Sequence, residues 1–180
     1  MKFLTAILTL TLLGLSMSAS SEEYEQADIY RDLRDQALAL DAQTLDARSG
    51  VYALLMETGY EDAAVTIIAA ADGSASMYFS NGGGLIGVGE YEQVREVVLE
   101  TLSELGNYSS NLEKTETFPL PDFGRTRFYA VTDQGVLTAD AANDVLGNEK
   151  HELSPLFHQV HKLISYMRVA EEHRRSQESE

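Results

Sequence analysis

Three glycines near the middle of the chain have the spacing of a nucleotide-binding motif. Gly82, Gly84 and Gly87 lie in the stretch YFSNGGGLIGVGE, residues 78–90, and form a G-x-G-x-x-G sequence. In dinucleotide-binding proteins such glycines let the backbone approach a pyrophosphate at a helix N-terminus, and an acidic residue about 20 positions later binds the ribose. The chemistry that this spacing would support is therefore phosphate binding.

The surroundings of these glycines do not fit that motif. The preceding residues 74–80 alternate between an apolar and a serine-rich face, whereas the motif follows a buried parallel strand. The next helix is predicted to begin only at Tyr91, and the next acidic residue at a strand end is Asp133. A phosphate-binding P-loop is excluded as well, because no Lys-Ser or Lys-Thr pair follows the glycines. The stretch is therefore predicted to bend the chain, since glycine readily adopts positive φ angles.

The same stretch can also line a binding groove, because glycine-rich loops expose backbone N–H groups. Arg125 and Arg127 flank Thr126, and alternation places both arginines on one face of a predicted strand. Two such guanidinium groups can bind a carboxylate or a phosphate, and the alternative is that they pair with surface acids. The predicted groove for a partner or ligand comprises Asn81, Gly82, Gly83, Gly84, Gly87, Gly89, Arg125 and Arg127.

Two of the four histidines have a spacing that suits a metal site. His158 and His161 lie three residues apart on a predicted helix, and together with His151 they could hold a metal ion. Both lie beside the apolar stripe of that helix, next to Gln159 and Lys162, so a solvated face is favoured. We predict no metal, no cofactor and no catalytic residue, because the chain also lacks cysteine and a Gly-x-Ser-x-Gly motif.

Acidic residues dominate the charge of the chain. There are 29 Asp and Glu residues against 13 Lys and Arg residues, which gives a formal net charge of −16 at pH 7. Nucleic acids and anionic lipids repel such a polyanion, so DNA or RNA binding is not expected. A basic protein or peptide partner is compatible with this charge, which also favours solubility.

The first 20 residues have the three-part layout of a secretory signal peptide. Lys2 precedes an apolar run from Phe3 to Leu15, and the sequence SMSAS follows at residues 16–20. The apolar run is shorter than the roughly 20 residues of a membrane-spanning helix. We therefore expect cleavage near residues 18–20, export to the periplasm or out of the cell, and no stable membrane insertion of the mature chain. The alternative is an uncleaved N-terminal anchor.

Hydrophobic periodicity predicts the elements that position these residues. Short apolar or alternating runs predict strands at residues 51–56, 63–71, 74–80, 126–132 and 136–139, with a further short strand at 85–88. Apolar residues at helical spacing predict helices at 21–40, at 91–105 and from Ser154 onwards. Asp72-Gly73 and Asp133-Gln134-Gly135 predict tight turns between strands.

Strands joined by tight turns predict antiparallel pairing. The predicted fold class is α+β, with an antiparallel sheet of about five strands covered by two helices, plus an N-terminal helix. This order loosely resembles the topology of roadblock, longin and profilin domains. The predicted organisation is a signal peptide at 1–20, a helix and connector at 21–49, one α+β domain at 50–170 and a flexible charged tail at 171–180.

Three short stretches also carry a resemblance. They are YFSNGGG followed by Ile86-Gly87, FPLP at 118–121 followed by RFY at 127–129, and LSPLF at 153–157. Together they resemble a family of small conserved bacterial proteins without an assigned function, over residues 51–167. Members tend to have Glu-His-Glu after the glycines, where this chain has Glu90-Tyr91-Glu92. The resemblance implies no catalytic residue.

The function expected from these patterns is that of a non-enzymatic exported module that binds a protein or peptide. A glycine-rich sheet edge can accept a partner strand, and a homodimer is also compatible with such an edge. One alternative is a small-ligand sensor with a pocket lined by Tyr52, Tyr78 and Tyr129. The other alternative is a metal-dependent hydrolase that uses His158 and His161.

Overall fold

The computed structural model describes residues 24–47, 49–86 and 90–178. The α-helices in these ranges are α1 (Asp28–Leu38), α2 (Glu92–Glu104), α3 (Asn143–Gly147) and α4 (Ser154–Glu178), and a 3-10 helix (Leu105–Asn111) continues α2. The strands are β1 (Val51–Gly59), β2 (Ala64–Ala70), β3 (Ala75–Phe79), β4 (Gly84–Leu85), β5 (Glu113–Lys114), β6 (Arg125–Thr132) and β7 (Gly135–Ala142). The predicted signal peptide lies outside the described residues. Within them, no helix combines the length and the apolar character needed to cross a membrane.

The strands form one open antiparallel sheet in the order β4-β3-β2-β1-β6-β7-β5. Strands β1 to β4 run as a meander towards one edge, and α2 then leads the chain to β5 at the other edge. The predicted α+β class is confirmed, and so are the turns, because Gly73 and Gly135 connect paired strands with φ angles of 86° and 103°. The predicted number of about five strands is wrong. The sheet has seven, and β5 was missed because its two charged residues show no hydrophobic pattern.

One face of the sheet packs against α2 and α4. The predicted apolar stripe of α2 is buried, with exposed fractions of at most 5% for Val94, Val97, Val98, Leu102 and Leu105. From α4, Val160, Leu163 and Met167 belong to the same core cluster as the strand residues Phe128 and Leu54. Burial of each such side chain contributes about 1.5–3 kcal/mol. Hydrophobic periodicity therefore predicted this layer correctly.

The opposite face is covered by α1 and by the segment around Phe118 and Leu120. Sequence alternation predicted a polar outer face for β3, yet Tyr78 is only 7% exposed and Ser80 is fully buried. Burial of Ser80 is tolerated because its hydroxyl accepts the Ala64 N–H at 2.9 Å and its carbonyl accepts the Ala27 N–H at 2.8 Å. Both faces of the sheet are therefore covered.

A buried ion pair attaches α1 to the sheet. Arg34 lies on the inner side of α1 and donates from Nε and Nη2 to the two carboxylate oxygens of Glu57, at 2.6 and 2.8 Å. The Thr66 hydroxyl donates to the same carboxylate at 3.2 Å and is 2.8 Å from the Tyr30 hydroxyl. Because Glu57 is fully buried, loss of either charge would leave the other uncompensated, at a cost of about 3–5 kcal/mol. The ion pair thus connects α1 directly to strand β1 of the sheet.

The ends of two helices differ from the prediction. The predicted start at Ser21 lies outside the described residues, and α1 begins at Asp28 after a non-helical stretch. At the other end, α4 continues to Glu178, where sequence analysis predicted a flexible tail from residue 171. Glu171 is 7% exposed and pairs with Arg174 and Arg175 one turn later, which stabilises the additional helical turns.

Candidate functional site

A cleft opens between the β3–β4 end of the sheet and the second half of α4. Its volume is about 530 Å³, which lies in the range of about 300–1,000 Å³ typical of ligand sites. Apolar side chains form its floor, and charged side chains of α4 form one rim. The lining residues are Met77, Phe79, Gly84, Leu85, Ile164, Arg168, Glu171, Glu172 and Arg175.

The floor of this cleft follows from strand alternation and register. Met77 and Phe79 point to the same face of β3 because they are two residues apart. Leu85 of β4 lies opposite Met77 and therefore points to that face as well. Ile164 of α4 completes the floor and remains half-buried, whereas Met167, one turn further along, is fully buried in the core.

Strand β4 forms the outer edge of the sheet at this cleft. The Phe79 N–H donates to the Gly83 carbonyl at 3.2 Å, so residues 79 and 83 are a hydrogen-bonded pair of the ladder. Because such pairs alternate along antiparallel strands, the N–H and C=O of Gly84 point away from β3 towards the open side. The edge therefore offers a backbone donor and acceptor directly beside an apolar cleft.

Gly84 has a steric reason to be glycine. A Cβ atom there would lie 2.2 Å from the Met77 carbonyl oxygen and 3.1 Å from the Tyr78 ring. Real Cβ contacts do not become that short, so a side chain would push β4 away from β3. The glycine-rich sequence is thus used for close approach of two backbones, as predicted for chain geometry.

The rim of the cleft contains a compact ion-pair group. Glu171 accepts hydrogen bonds from Arg175 Nε at 2.7 Å and from Arg174 Nε at 2.9 Å. The hydrogen bond from Arg175, together with that from Arg174, lowers the pKa of Glu171 below its usual value. A carboxylate held ionised in this way is a poor proton donor, and its main effect is to fix the end of α4.

Arg168 differs from the other arginines of the described residues. The seven others each pair with a carboxylate or a backbone carbonyl. Arg168 is exposed, lines the cleft, and forms no hydrogen bond or ion pair with any described residue. Sequence analysis did not single it out, because its distinction depends on where the acidic side chains lie in space.

A second cleft lies on the other side of α4. It has a volume of about 510 Å³ and separates the start of α2 from the same half of α4. Tyr166 and Val169 are exposed there, at 40% and 54%. No sheet edge borders it, since its lining comes from residues 91–94 and 165–173. The first cleft is the stronger candidate because it combines apolar surface with free backbone groups.

The structure separates the two halves of the predicted groove. Asn81, Gly82, Gly83 and Gly84 lead into β4 at one edge, whereas Gly87 and Gly89 lie outside the described residues. Arg125 and Arg127 are on β6, and β3, β2 and β1 lie between β6 and β4. At about 4.8 Å per strand, the two groups are roughly 19 Å apart across the sheet. They do not form one site.

Arg125 and Arg127 have partners of their own. Both pair with Asp140 of the neighbouring strand β7, and the Arg127 Nε to Asp140 Oδ2 distance is 3.2 Å. Arg127 also donates to the Pro119 carbonyl at 3.3 Å. Of the two interpretations from the sequence, the geometry corresponds to pairing with a neighbouring acid.

The residues of the alternative functions lie in packed or solvated surroundings. Tyr52, Tyr78 and Tyr129 are each at most 7% exposed in the core under α1, and the Tyr129 hydroxyl donates to the Pro119 carbonyl at 2.6 Å. The His161 ring packs against Phe157 at a centroid distance of 4.3 Å, and burial, together with the nearby His158, lowers its pKa. Within the described ranges, no three His, Asp or Glu side chains are arranged to hold a metal ion.

Comparisons with known proteins identify no relative. No family model, no curated protein and no solved structure matches the chain.

Proposed function

We propose that this chain is an exported, non-enzymatic module that binds a protein partner by adding an extended segment of the partner to edge β4. Export rests on the signal-peptide pattern of residues 1–20. The observation that carries the binding mode is the free backbone of Gly84 next to the apolar cleft.

The geometry suits strand addition for two reasons. Main-chain hydrogen bonds to the edge supply affinity without regard to sequence, and pockets for alternate side chains supply specificity. A segment paired with residues 84–86 would direct every second side chain to the face that carries Met77 and Leu85. The bound segment would also cover the side chain of Ile86, which is 59% exposed.

The chemical character of the lining supports binding rather than catalysis. Its floor is apolar, and its ionisable groups are two arginines and two glutamates. Glu171 is held by two arginines, so it is not poised to exchange a proton.

Site-specific photo-crosslinking in cells that express the chain tests this function. A benzophenone amino acid is placed at Ile86 on the β4 side or, as the matched control, at Lys114 on the β5 edge. Both positions are exposed, so labelling efficiency should be similar. We expect a discrete adduct with another protein from position 86, none from position 114, and loss of the adduct when Gly84→Ala is added.

Two results would contradict the proposal. One is equal labelling from both edges, which would show that the β4 edge has no preferred partner. The other is an adduct of two copies of this chain, which would assign the edge to self-association.

A further inference from the structure

We propose that Arg168 selects a partner segment that carries an acidic side chain next to the apolar residues bound in the cleft. This inference rests on the proposed function, because it concerns the specificity of the same site. The proposed ligand of the cleft is an extended peptide segment with alternating apolar residues and an aspartate or glutamate.

Positive charge is scarce in this chain. The chain has more than twice as many acidic as basic residues, so an arginine that forms neither an ion pair nor a hydrogen bond is unexpected. The planar guanidinium group is weakly hydrated and matches a carboxylate through two parallel hydrogen bonds. Each of the seven other arginines of the described residues has such a partner or a carbonyl, and Arg168 has neither.

The guanidinium group of Arg168 lies at the cleft. Arg168 follows Ile164 by one helical turn on α4, and both residues line the cleft. A bound segment whose apolar side chain contacts Ile164 and Leu85 would therefore place its neighbouring side chains within reach of the guanidinium group. A carboxylate of the segment would pair with this guanidinium group, which forms no ion pair with any described residue although Glu172 follows it by one turn of the same helix.

The other charges of the rim do not change this assignment. Glu171 is neutralised by Arg174 and Arg175. Glu172 also lines the cleft without an ion pair among the described residues, but unpaired carboxylates are expected where acids are in excess. The four rim charges sum to zero, since Arg168 and Arg175 balance Glu171 and Glu172. The cleft therefore does not share the strongly negative character of the whole chain.

Long-range and local electrostatics then act differently on the same partner. The net charge of −16 attracts a basic protein at a distance, whereas contacts in the cleft are screened from charges beyond about 8 Å at physiological salt. A partner that is basic overall and presents an acidic, apolar segment satisfies both conditions.

Peptide pools test the inference with the full chain immobilised. Each pool contains nine-residue peptides with Val, Ile or Leu at alternate positions and an amidated C-terminus. One intervening position is fixed as Glu, Gln or Lys, and the remaining positions are random. Mass spectrometry measures how much of each pool is retained. We expect the Glu pool to be retained about two- to five-fold over the Gln pool, the range expected for one solvent-exposed ion pair.

Substitutions in α4 test whether Arg168 causes the preference for the Glu pool. In Arg168→Gln the Glu and Gln pools should be retained equally, and in Arg168→Glu the Lys pool should be preferred. Lys162→Gln is the matched control, because Lys162 lies on the same helix outside the cleft and pairs with Glu100. This control should keep the preference for the Glu pool.

The possible failures are distinguishable. Equal retention of Glu and Gln pools by the unaltered chain would overturn the inference and leave strand addition intact. A preference for Glu that survives Arg168→Gln would do the same. If no pool is retained, the proposed function fails along with the inference.

Discussion

The two edges of the sheet have strands of equal length but opposite character. Strand β5 consists of Glu113 and Lys114, and both side chains are charged and exposed. Strand β4 consists of Gly84 and Leu85 and is followed by the exposed Ile86. Charged residues on an edge strand discourage pairing with another chain, and apolar residues do not. Charge thus protects the β5 edge, whereas no described strand pairs with the outer side of β4, next to the cleft.

The largest effect is expected from a change that removes the open edge. Gly84→Ala would place a Cβ atom 2.2 Å from the Met77 carbonyl oxygen, so β4 should separate from β3. We expect the free energy of unfolding to fall by about 1–3 kcal/mol, as for other substitutions that introduce strain. Chemical denaturation measures this change, and hydrogen exchange at Leu85 reports whether β4 still pairs.

Gly106→Ala is the control for that experiment. A Cβ atom at Gly106 would meet no atom within 4 Å, and this glycine has no positive φ angle. Its effect on stability should stay within about 0.5 kcal/mol. If both variants are equally stable, the close approach at Gly84 is not what fixes the β4 edge.

A smaller loss of stability is expected when a charged residue, like those of β5, is introduced into β4. Leu85→Lys introduces a charge like that of Lys114 and removes an apolar side chain from the cleft. Because Leu85 is half-buried, we expect stability to fall by less than about 1.5 kcal/mol, while the adduct from position 86 disappears. Persistence of that adduct at the wild-type level would mean that the edge does not mediate binding.

The opposite substitution, from charged to apolar residues, tests the β5 edge. Replacing Glu113 and Lys114 by leucine removes the charges from β5. We expect little change in the unfolding free energy, since both residues are exposed, but concentration-dependent self-association in analytical ultracentrifugation. A double variant that stays monomeric at all concentrations would show that something other than charge protects this edge.

The smallest effect concerns pH and the α4 wall of the cleft. Ion pairing with Arg175 and Arg174 lowers the pKa of Glu171 in the folded chain, so its contribution to stability is present above its unfolded pKa of about 4.3. That contribution is lost as the pH falls through the lower folded value. Denaturation of wild type and Glu171→Gln from pH 7 to pH 3 should therefore show a difference that shrinks below about pH 4. Glu172→Gln is the matched control at pH 7, where it should lower stability less than Glu171→Gln because Glu172 forms no ion pair with a described residue.

Much of the fold could be predicted from local patterns. The apolar stripe of α2, the strand at β6 and the turn at Gly73 depend on neighbours within a few residues, and such signals are visible in one sequence. The burial of Ser80 and the pairing of Arg34 with Glu57 could not be predicted in this way. Both depend on α1, which is distant in sequence and covers the face that alternation marked as polar.

The candidate site could likewise be predicted only in part from the sequence. The glycine-rich stretch predicts a bend of the chain, since glycine readily adopts positive φ angles. The structure adds that Gly84 allows β4 to approach β3 closely. The contribution of Arg125 and Arg127 to that site was not supported by the arrangement, since sequence order does not give strand order. The cleft itself arises from α4, which begins 69 residues after the end of β4.

Most helices and strands, the excess of negative charge and the flexible backbone at the glycines were predictable from the sequence, because they follow from composition or from short-range periodicity. The character of the two sheet edges and the lack of any hydrogen bond or ion pair at Arg168 among the described residues became visible only in the folded chain. Those properties depend on distances between residues far apart in the chain, and such distances are set when the helices pack on the two faces of the sheet.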